Sequence, residues 1–325
     1  MNKDIAIILT ARMGSSRLPG KAMMDINNKP LIFWILDRLA RIGNVVLATT
    51  QDKSDDELAY RVGGMGYCVH RGETDDVISR MDNALIRYYP GAKYVLRGLG
   101  DCPFMSKELI DRSVEIMDRD VDVDSFAWAL PPWVWPVYGA REFPYKRTAW
   151  NRIVKESKTR EHVDVYFHEN RNRFNTVYHE PPPNVYFRPY RLEVDWQNDA
   201  DLISAIAKNV SMLAPTNEIV SFLDKHDEIA KLNSDRVEVT GPTTYSYDVK
   251  REWSKHMRGK NIVCWDDTIW NLPHKSDEPV FCNGGICLLG YAHDGTLHRT
   301  NGDEIRGNAM IKCKCGAGKR WISAK

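Results

Sequence analysis

Short runs of apolar residues alternate, over the first half of the chain, with stretches in which apolar residues recur every three or four positions. A short apolar run is typical of a strand buried on both faces, whereas the longer spacing predicts an amphipathic helix. Repeated strand–helix units predict an α/β fold, with a parallel sheet covered by helices on both faces. The predicted strands are residues 5–9, 45–50, 67–70, 94–99 and, later in the chain, 191–194.

The helices between these strands are predicted from apolar spacing and from capping residues. Leu31, Ile35 and Leu39 share one face of the first helix. Ser106 is placed to cap a helix that continues to about residue 117. In sheets of this kind, ligands bind beyond the carboxyl ends of the strands. The other predicted helices are residues 55–62, 75–89, 161–170 and 199–208.

The pattern changes twice further along the chain. Residues 126–150 hold four tryptophans and four prolines, and prolines exclude one continuous regular element. From about residue 231, strand-favouring residues and glycine-containing turn pairs dominate, which predicts β-structure. We therefore predict a large α/β domain over residues 1–232 and a small β-rich, cysteine-containing module over residues 235–325.

Charge and hydrophobicity exclude some classes of partner. Lysine plus arginine total 45 and aspartate plus glutamate total 44, so the chain lacks the basic excess of a general nucleic-acid binder. No apolar stretch approaches the roughly 20 residues of a membrane helix. The run at residues 5–9 is too short for the core of a signal peptide. We expect a cytoplasmic protein that binds neither nucleic acid nor membranes.

A basic, glycine-containing loop, residues 11–21, follows the first predicted strand. Glycine lets a backbone approach a ligand and present its N–H groups to anionic oxygens. Arg12, Arg17 and Lys21 add three cations that suit phosphate. The loop lacks the Gly-Lys-Ser/Thr ending of a Walker loop and the Gly-x-Gly-x-x-Gly of a dinucleotide site. The alternative is a basic surface loop whose Pro-Gly pair only turns the chain.

Two aspartates follow predicted strands. Asp101 comes after residues 94–99 and Asp195 after residues 191–194, so both are expected at the sheet edge that carries the basic loop. Mg²⁺ prefers one or two carboxylates together with phosphate oxygens and water. Each aspartate also has a structural alternative: Gly-Asp-x-Pro is a common turn, and Asp195 could cap the helix that follows it.

Five ordered blocks resemble the cytidylyltransferases, in particular the spore-coat polysaccharide SpsF-like branch, which is related to the CMP-Kdo and CMP-acylneuraminate synthetases. The first block, Ala-Arg-Met-Gly-Ser-Ser-Arg-Leu-Pro-Gly-Lys, departs from the branch only before its start, where Thr10 replaces glutamine. The resemblance covers roughly residues 4–225. The blocks are residues 11–21, 70–80, 97–103, 160–163 and 191–199.

The resemblance implies a Rossmann-like three-layer sandwich that activates a sugar or sugar acid with CTP. It implies that Arg12, Lys21 and Asp101 are catalytic and that Asp101 and Asp195 hold the catalytic Mg²⁺. The nucleotide-binding residues that it implies are Ala11, Arg12, Gly14, Ser15, Arg17, Lys21, Arg71, Arg80 and Arg97.

The acceptor pocket is expected in residues 128–142 and around residues 160–162. Tryptophan faces suit the apolar side of a sugar ring, and an arginine could pair with an acidic group. Equally, the tryptophans could form a homodimer interface or a secondary core. The block at residues 136–143 is shorter than in relatives, which leaves the acceptor open. The predicted acceptor-binding residues are Arg141, Glu142, Arg160, Glu161 and His162.

Five of the seven cysteines lie in the last quarter of the chain. Four of them, Cys282, Cys287, Cys313 and Cys315, could hold a structural Zn²⁺, a common staple of small β-rich modules. Their spacing differs from two regular Cys-x-x-Cys knuckles, so reduced thiols, some buried, are the alternative.

These patterns favour a Mg²⁺-dependent nucleotidyltransferase that moves CMP from CTP to a sugar-type acceptor and releases pyrophosphate. A glycosyltransferase of similar fold that uses a nucleotide-sugar donor is a second hypothesis. Such sites usually hold their metal through Asp-x-Asp, and residues 122–124 read Asp-Val-Asp, but they follow a predicted helix rather than a strand end. A degenerate, nucleotide-binding scaffold is a third. The intact Arg12, Arg17, Lys21 and Asp101 speak against that scaffold.

Overall fold

The computed structural model describes residues 1–119, 122–128, 137, 139–140, 142, 144–170, 173–179 and 190–236, and short strands between residues 261 and 322. The chain divides into two compact units. The first comprises Met1–Phe126, Tyr138–Thr176 and Tyr190–Arg236, and the second comprises Ala127–Val137, Val177–Pro189 and Val237–Lys325. The domain boundaries predicted at residues 232 and 235 stay a prediction.

The first unit is built on a sheet whose strand order is β3-β2-β1-β4-β6-β5. Strands β1 to β4 are parallel, whereas β6 pairs antiparallel with β4 and with β5. Residues 5–9 of β1 are fully buried, as expected of a strand covered on both faces. The strands are β1 (Asn2–Thr10), β2 (Gly43–Thr50), β3 (Cys68–Gly72), β4 (Tyr94–Leu99), β5 (Ser125–Trp128) and β6 (Tyr145–Lys146).

Nine α-helices lie in the described part of this unit. Ser106 accepts a hydrogen bond from the Leu109 N–H at 3.3 Å, which confirms the predicted start of the fourth helix. The helices are α1 (Leu31–Leu39), α2 (Asp56–Gly64), α3 (Val77–Tyr88), α4 (Lys107–Arg119), α5 (Arg147–Glu156), α6 (Val163–Glu169), α7 (Gln197–Asn209), α8 (Thr216–Leu223) and α9 (Asp227–Ala230).

Helices cover both faces of the parallel strands. Ala6 and Ile8 of β1 belong to one buried cluster with residues of α3, α5 and α6. Ile7 and Leu9 point to the opposite face, where Leu39 of α1 packs beside Gly98 of β4. The predicted α/β sandwich is therefore confirmed, with the antiparallel β6–β5 pair as an addition. None of the described helices combines the length and apolar character that crossing a membrane requires.

The predicted strand at residues 191–194 is wrong. Only an isolated bridge at Arg191 is present there. The Val194 N–H donates to the Asp101 carbonyl at 2.8 Å, and the Asn233 amide donates to the Arg191 carbonyl at 3.0 Å. These bonds run to a turn and to a side chain, so an extended segment, rather than a strand of the sheet, positions Asp195.

Within the second unit, the described residues form short strands. β7 (Thr176–His179) pairs in parallel with β8 (Asn261–Val263) through Tyr178 and His179, and β8 pairs antiparallel with β9 (Ile269–Asn271). β8 and β9 lie within residues 235–325, where β-structure is predicted, and the separate module stays a prediction. The predicted zinc ligands Cys282, Cys287, Cys313 and Cys315 lie outside the described residues. The further strands are β10 (Ala292–His293), β11 (Thr296–His298), β12 (Glu304–Arg306), β13 (Ala309–Lys312) and β14 (Lys319–Ile322).

Candidate active site

The loop after β1 is folded around the main chain of Met13. The Met13 carbonyl accepts hydrogen bonds from the Ser15 N–H at 2.9 Å and from the Gly20 N–H at 3.0 Å. Gly20 has a φ of 75°, a left-handed conformation that glycine adopts without steric strain. The chain leaves this turn directly into a 3-10 turn, Lys21–Met23. Residues 11–21 are called the phosphate loop below.

Lys21 connects the phosphate loop to both predicted metal-binding aspartates. Its Nζ donates to Asp101 Oδ2 at 2.8 Å, to Asp195 Oδ1 at 2.9 Å and to the Val194 carbonyl at 2.9 Å. Burial by itself would lower the pKa of Lys21, but the two carboxylates outweigh burial, and the net pKa lies above its usual value. The ammonium group therefore stays charged at neutral pH and balances the two aspartates.

Asp101 reaches Lys21 because the turn after β4 lies against the end of β1. The Gly100 N–H donates to the Thr10 carbonyl at 3.0 Å. A Cβ atom at Gly100 would lie 2.6 Å from the Ala11 Cβ, so only glycine permits this approach. The Gly-Asp-x-Pro turn that was the structural alternative is thus present. The Asp101 carboxylate, however, accepts a hydrogen bond from Lys21.

Asp195 is surrounded by cations. Its side chain is 6% exposed, and Arg17 approaches Oδ1 to 2.6 Å. Lys21 shares Oδ1, and Arg191 forms an ion pair with Oδ2. Asp195 does not take the capping position that was its alternative role, because Trp196 is the N-cap of α7. Asp199, in the first turn of that helix, accepts at Oδ2 from the N–H groups of Asp195 and of Trp196, both at 2.9 Å.

A buried arginine adds to the positive charge beside the loop. Arg80 of α3 is 4% exposed, and its guanidinium donates to the carbonyls of Glu73 and Thr74. Burial lowers the pKa of Arg80, and the neighbouring charges of Arg12 and Arg97 lower it further. Arg12, Arg80 and Arg97 all line the same cavity, so this part of its wall carries positive charge.

The phosphate loop, Arg80 and Asp101 line a cavity of about 310 Å³, whereas Asp195 does not contribute to its wall. Thr74 and Asp75, which are not among the predicted site residues, also contribute to its wall. Both lie inside the block at residues 70–80, but not at the positions of that block that match the family pattern. The predicted site residues that line the cavity are Ala11, Arg12, Ser15, Arg17, Lys21, Arg80, Arg97, Asp101, Glu161 and His162.

Arg71, predicted to bind nucleotide, does not line this cavity. Its Nε donates to the Thr50 carbonyl and its NH2 to the Asp52 carbonyl, both at 2.9 Å, and its NH1 lies 2.6 Å from the Asp56 carboxylate. In this structure Arg71 therefore ties β3 to the segment after β2. Gly14, also predicted to bind nucleotide, likewise does not contribute to the cavity wall. Contact of either residue with nucleotide stays a prediction.

The predicted acceptor residues separate into two groups. Glu161 and His162 line the cavity, whereas Glu142 and Arg160 do not. Arg160 instead binds the Asp76 carboxylate through Nε at 3.0 Å. Arg141 lies outside the described residues. The direct acceptor contacts therefore stay predictions.

Asp76 fixes the start of α3, which carries Arg80. Its Oδ1 accepts from the Ser79 N–H at 2.8 Å. Burial raises the pKa of Asp76, but the bonds from Ser79 and Arg160 outweigh it, and the net pKa is lowered. This carboxylate therefore stabilises the fold at pH values above its unfolded pKa of about 3.9, and that stability is lost as pH falls through the folded value.

We expect Asp76→Ala to lower the free energy of unfolding by about 1–2 kcal/mol at pH 7, the usual cost of losing a helix cap. The difference from the unaltered chain should shrink as pH falls below about 4. Urea-unfolding midpoints measured between pH 7 and pH 3.5 check both expectations. Asp75→Ala is the control for stability, because its side chain is exposed. Equal midpoints for the two variants at pH 7 would contradict the capping role.

Asp101 and Asp195 remain the candidate metal ligands. Among the described residues, no group of three or more His, Cys, Asp or Glu side chains comes together as a metal site. The Asp-Val-Asp string at residues 122–124 does not line the cavity. Its Asp124 accepts from the Asn175 N–H at 3.1 Å.

The family model described as cytidylyltransferase matches residues 6–214, well over half of the chain. The chain belongs to the cytidylyltransferase family. Spore coat polysaccharide biosynthesis protein SpsF of Bacillus subtilis is 26% identical, over 70% of this chain and 97% of that protein. An uncharacterized protein of Methanocaldococcus jannaschii is 31% identical, over 70% of this chain and 93% of that protein.

Among solved structures, a cytidylyltransferase from Leptospira borgpetersenii matches with a TM-score of 0.63 at 22% identity, over 71% of this chain and 98% of that one. This likeness supports the fold. Family membership makes the chain a nucleotidyltransferase enzyme of the CTP-using type, as the motif blocks predict, and the resemblance to the SpsF-like cytidylyltransferases is confirmed.

Proposed function

We propose that this cytidylyltransferase transfers CMP from CTP to a sugar-type acceptor, with Mg²⁺ as the cofactor, and that the phosphate loop and Asp101 form its catalytic centre. The observation that carries the proposal is the position of Lys21 Nζ, within 2.9 Å of both Asp101 and Asp195. A cationic loop and two carboxylates at one sheet edge suit a triphosphate with its metal ion.

The residues present fit a hard divalent cation. Asp101 is partly exposed and lines the cavity, and Asp195 directs a carboxylate oxygen at the same Lys21 ammonium. Two carboxylates that already share one cation offer the oxygen ligands that Mg²⁺ takes together with phosphate oxygens. When bound, the ion would neutralise charge on the phosphate oxygens during displacement.

The phosphate loop has donors available for the triphosphate. Among the described residues, no backbone acceptor is found for the N–H groups of Gly14 and Ser16. Arg12 and Arg17 line the cavity and can each bind two phosphate oxygens, whereas Lys21 acts as a point charge. Binding through these groups orients the α-phosphate for in-line attack and stabilises the charge that develops on it.

The reaction breaks one phosphoanhydride bond of CTP and forms one phosphate ester bond to the acceptor. The acceptor oxygen forms a bond to the α-phosphorus, the bond from that phosphorus to the bridging oxygen breaks, and pyrophosphate leaves with the electron pair. The acceptor hydroxyl proton is lost to water or to a base. Glu161 and His162 line the cavity and are the residues that we assign to the acceptor.

The test is pyrophosphate release from CTP and Mg²⁺ across a panel of sugars and sugar acids. We expect release with CTP, weaker release with ATP, GTP or UTP, and no release after EDTA until Mg²⁺ is restored. Hydrolysis of nucleotide sugars without CTP turnover would favour a glycosyltransferase. CTP binding without release for any acceptor would favour a degenerate scaffold. Light scattering and metal analysis of the same sample test the predicted homodimer and structural zinc.

A further inference from the structure

A buried carboxylate lies beneath the phosphate loop, outside the predicted site. Asp55 closes the 3-10 turn Lys53–Asp55, which follows β2, and is 1% exposed. Its Oδ1 accepts a hydrogen bond from the Met13 N–H at 2.6 Å. Its Oδ2 accepts from the Thr50 N–H at 3.2 Å and from the Thr50 hydroxyl. One side chain thus joins the loop after β1 to the end of β2.

Burying the Asp55 carboxylate costs folding free energy unless hydrogen bonds to it compensate. A buried carboxylate loses hydration, and donors must replace that hydration. No ion pair to Asp55 is found among the described residues, so Met13 and Thr50 supply the donors. The carboxylate also favours the charged form of Arg80, whose pKa it raises against the effect of burial. Asp55 therefore acts on two parts of the cavity wall.

The main chain of Met13 is the most firmly bonded part of the phosphate loop. Its N–H is bonded to Asp55, and its carbonyl accepts from Ser15 and Gly20. Because both the N–H and the carbonyl of Met13 are hydrogen-bonded, the neighbouring N–H groups of Gly14 and Ser16 keep a defined position. Donors that are held in place before the ligand arrives lose less entropy when they bind it.

The segment that carries Asp55 is itself bonded to the neighbouring strand β3. Arg71 of β3 donates to the carbonyls of Thr50 and Asp52 and pairs with Asp56. The chain on both sides of Asp55 is therefore attached to the sheet. This explains why a loop residue can serve as a rigid support.

We propose that Asp55 is a positioning residue of the nucleotidyl-transfer site, which holds the phosphate loop in its phosphate-binding conformation through the Met13 N–H. The proposal rests on the proposed function only in taking CTP as the ligand of this loop. Asp55 does not line the cavity, so its contribution is to the geometry of the loop.

Asp55→Asn tests this role, because the amide keeps the size of the carboxylate but offers one acceptor oxygen for two sets of donors. We expect KM for CTP and the dissociation constant of inorganic pyrophosphate to rise about tenfold, which equals about 1.4 kcal/mol. The KM of the acceptor should stay unchanged. Kinetics and calorimetry at a temperature well below unfolding provide these values.

Thr50→Val is the matched control. It removes a donor to Asp55 Oδ2 and leaves the Met13 contact intact, so it should lower stability while the affinity for CTP and pyrophosphate stays within about threefold. If Asp55→Asn changes the unfolding midpoint but neither CTP nor pyrophosphate binding, or raises the KM of both substrates equally, Asp55 has only a structural role and the proposal is overturned.

Amide hydrogen exchange of the unaltered protein tests the same contact without a variant. We expect the Met13 amide to be protected in the free enzyme and unchanged by pyrophosphate, whereas the Gly14 and Ser16 amides gain protection when it binds. A Met13 amide that exchanges as fast as exposed loop amides would overturn the proposal. Protection of Met13 in a protein that turns over no CTP would refute the proposed function and leave the anchoring by Asp55 standing.

Discussion

Replacing Lys21 with methionine is expected to lower kcat about 10²–10³-fold, the range found when one group that stabilises a developing charge is removed. Methionine has a similar length but carries neither charge nor donors. The change leaves Asp101 and Asp195 without the ammonium that they share, and it removes a cation from the cavity wall. Pyrophosphate release at saturating CTP and acceptor gives the comparison.

Lys29→Met is the control for this experiment. Lys29 lies in the segment that leads from the 3-10 turn into α1, pairs with Asp37 and packs over the Trp34 ring. It does not line the cavity. We expect its kcat to stay within about twofold of the unaltered enzyme. If Lys21→Met also stays within that range, Lys21 has no role in the chemistry, and the catalytic centre proposed here is wrong.

The sequence predicts the parallel part of the fold well, because each of its elements has a local cause. The apolar run at residues 5–9 and the apolar spacing from Leu31 to Leu39 need no distant partner to be recognised, and both lie where predicted. The antiparallel pair β5–β6 is not predicted, because it follows from pairing across a stretch rich in proline and aromatic residues. Residues 191–194 resemble a strand by composition alone.

In the candidate site, too, residues within sequence motifs are predicted, whereas a residue that depends on a distant contact is not. The motif blocks identify Lys21, Asp101 and Asp195, and the structure brings the three side chains within hydrogen-bonding distance. Asp55 is missed because Gln-Asp-Lys-Ser-Asp-Asp reads as the polar start of a helix. Nothing in that run shows that one of its three aspartates is buried against a loop 42 positions away.

The structural role of Arg38 also escapes prediction. It belongs to α1, is 6% exposed, and an arginine on a helix would ordinarily be assigned to a solvated face. Its Nε donates to the Met105 carbonyl at 2.8 Å, and its NH1 donates to the carbonyls of Met212 at 3.1 Å and Ala214 at 2.9 Å. The guanidinium thus joins α1 to the turn after β4 and to the segment before α8.

We expect Arg38→Met to lower the free energy of unfolding by about 3–4 kcal/mol. Hydrogen bonds from a charged donor contribute about 1.5–3 kcal/mol, and their loss leaves buried carbonyls without a partner. Methionine fills much of the volume, so the effect measures polar contacts rather than a cavity. Urea unfolding followed by far-UV circular dichroism gives the midpoint and, with the slope, the free energy.

Arg41→Met is the matched control, because Arg41 lies three positions along the chain and is exposed, with one long bond of 3.4 Å to the Leu213 carbonyl. We expect a change below about 0.5 kcal/mol, as for most surface substitutions. Arg38→Lys should recover little of the lost free energy of unfolding, since an ammonium cannot spread its donors as the guanidinium does. KM for CTP of the folded Arg38→Met enzyme should be unchanged, because Arg38 does not line the cavity. A midpoint equal to that of Arg41→Met would show that the three buried carbonyls find other donors and that Arg38 does not hold these segments together.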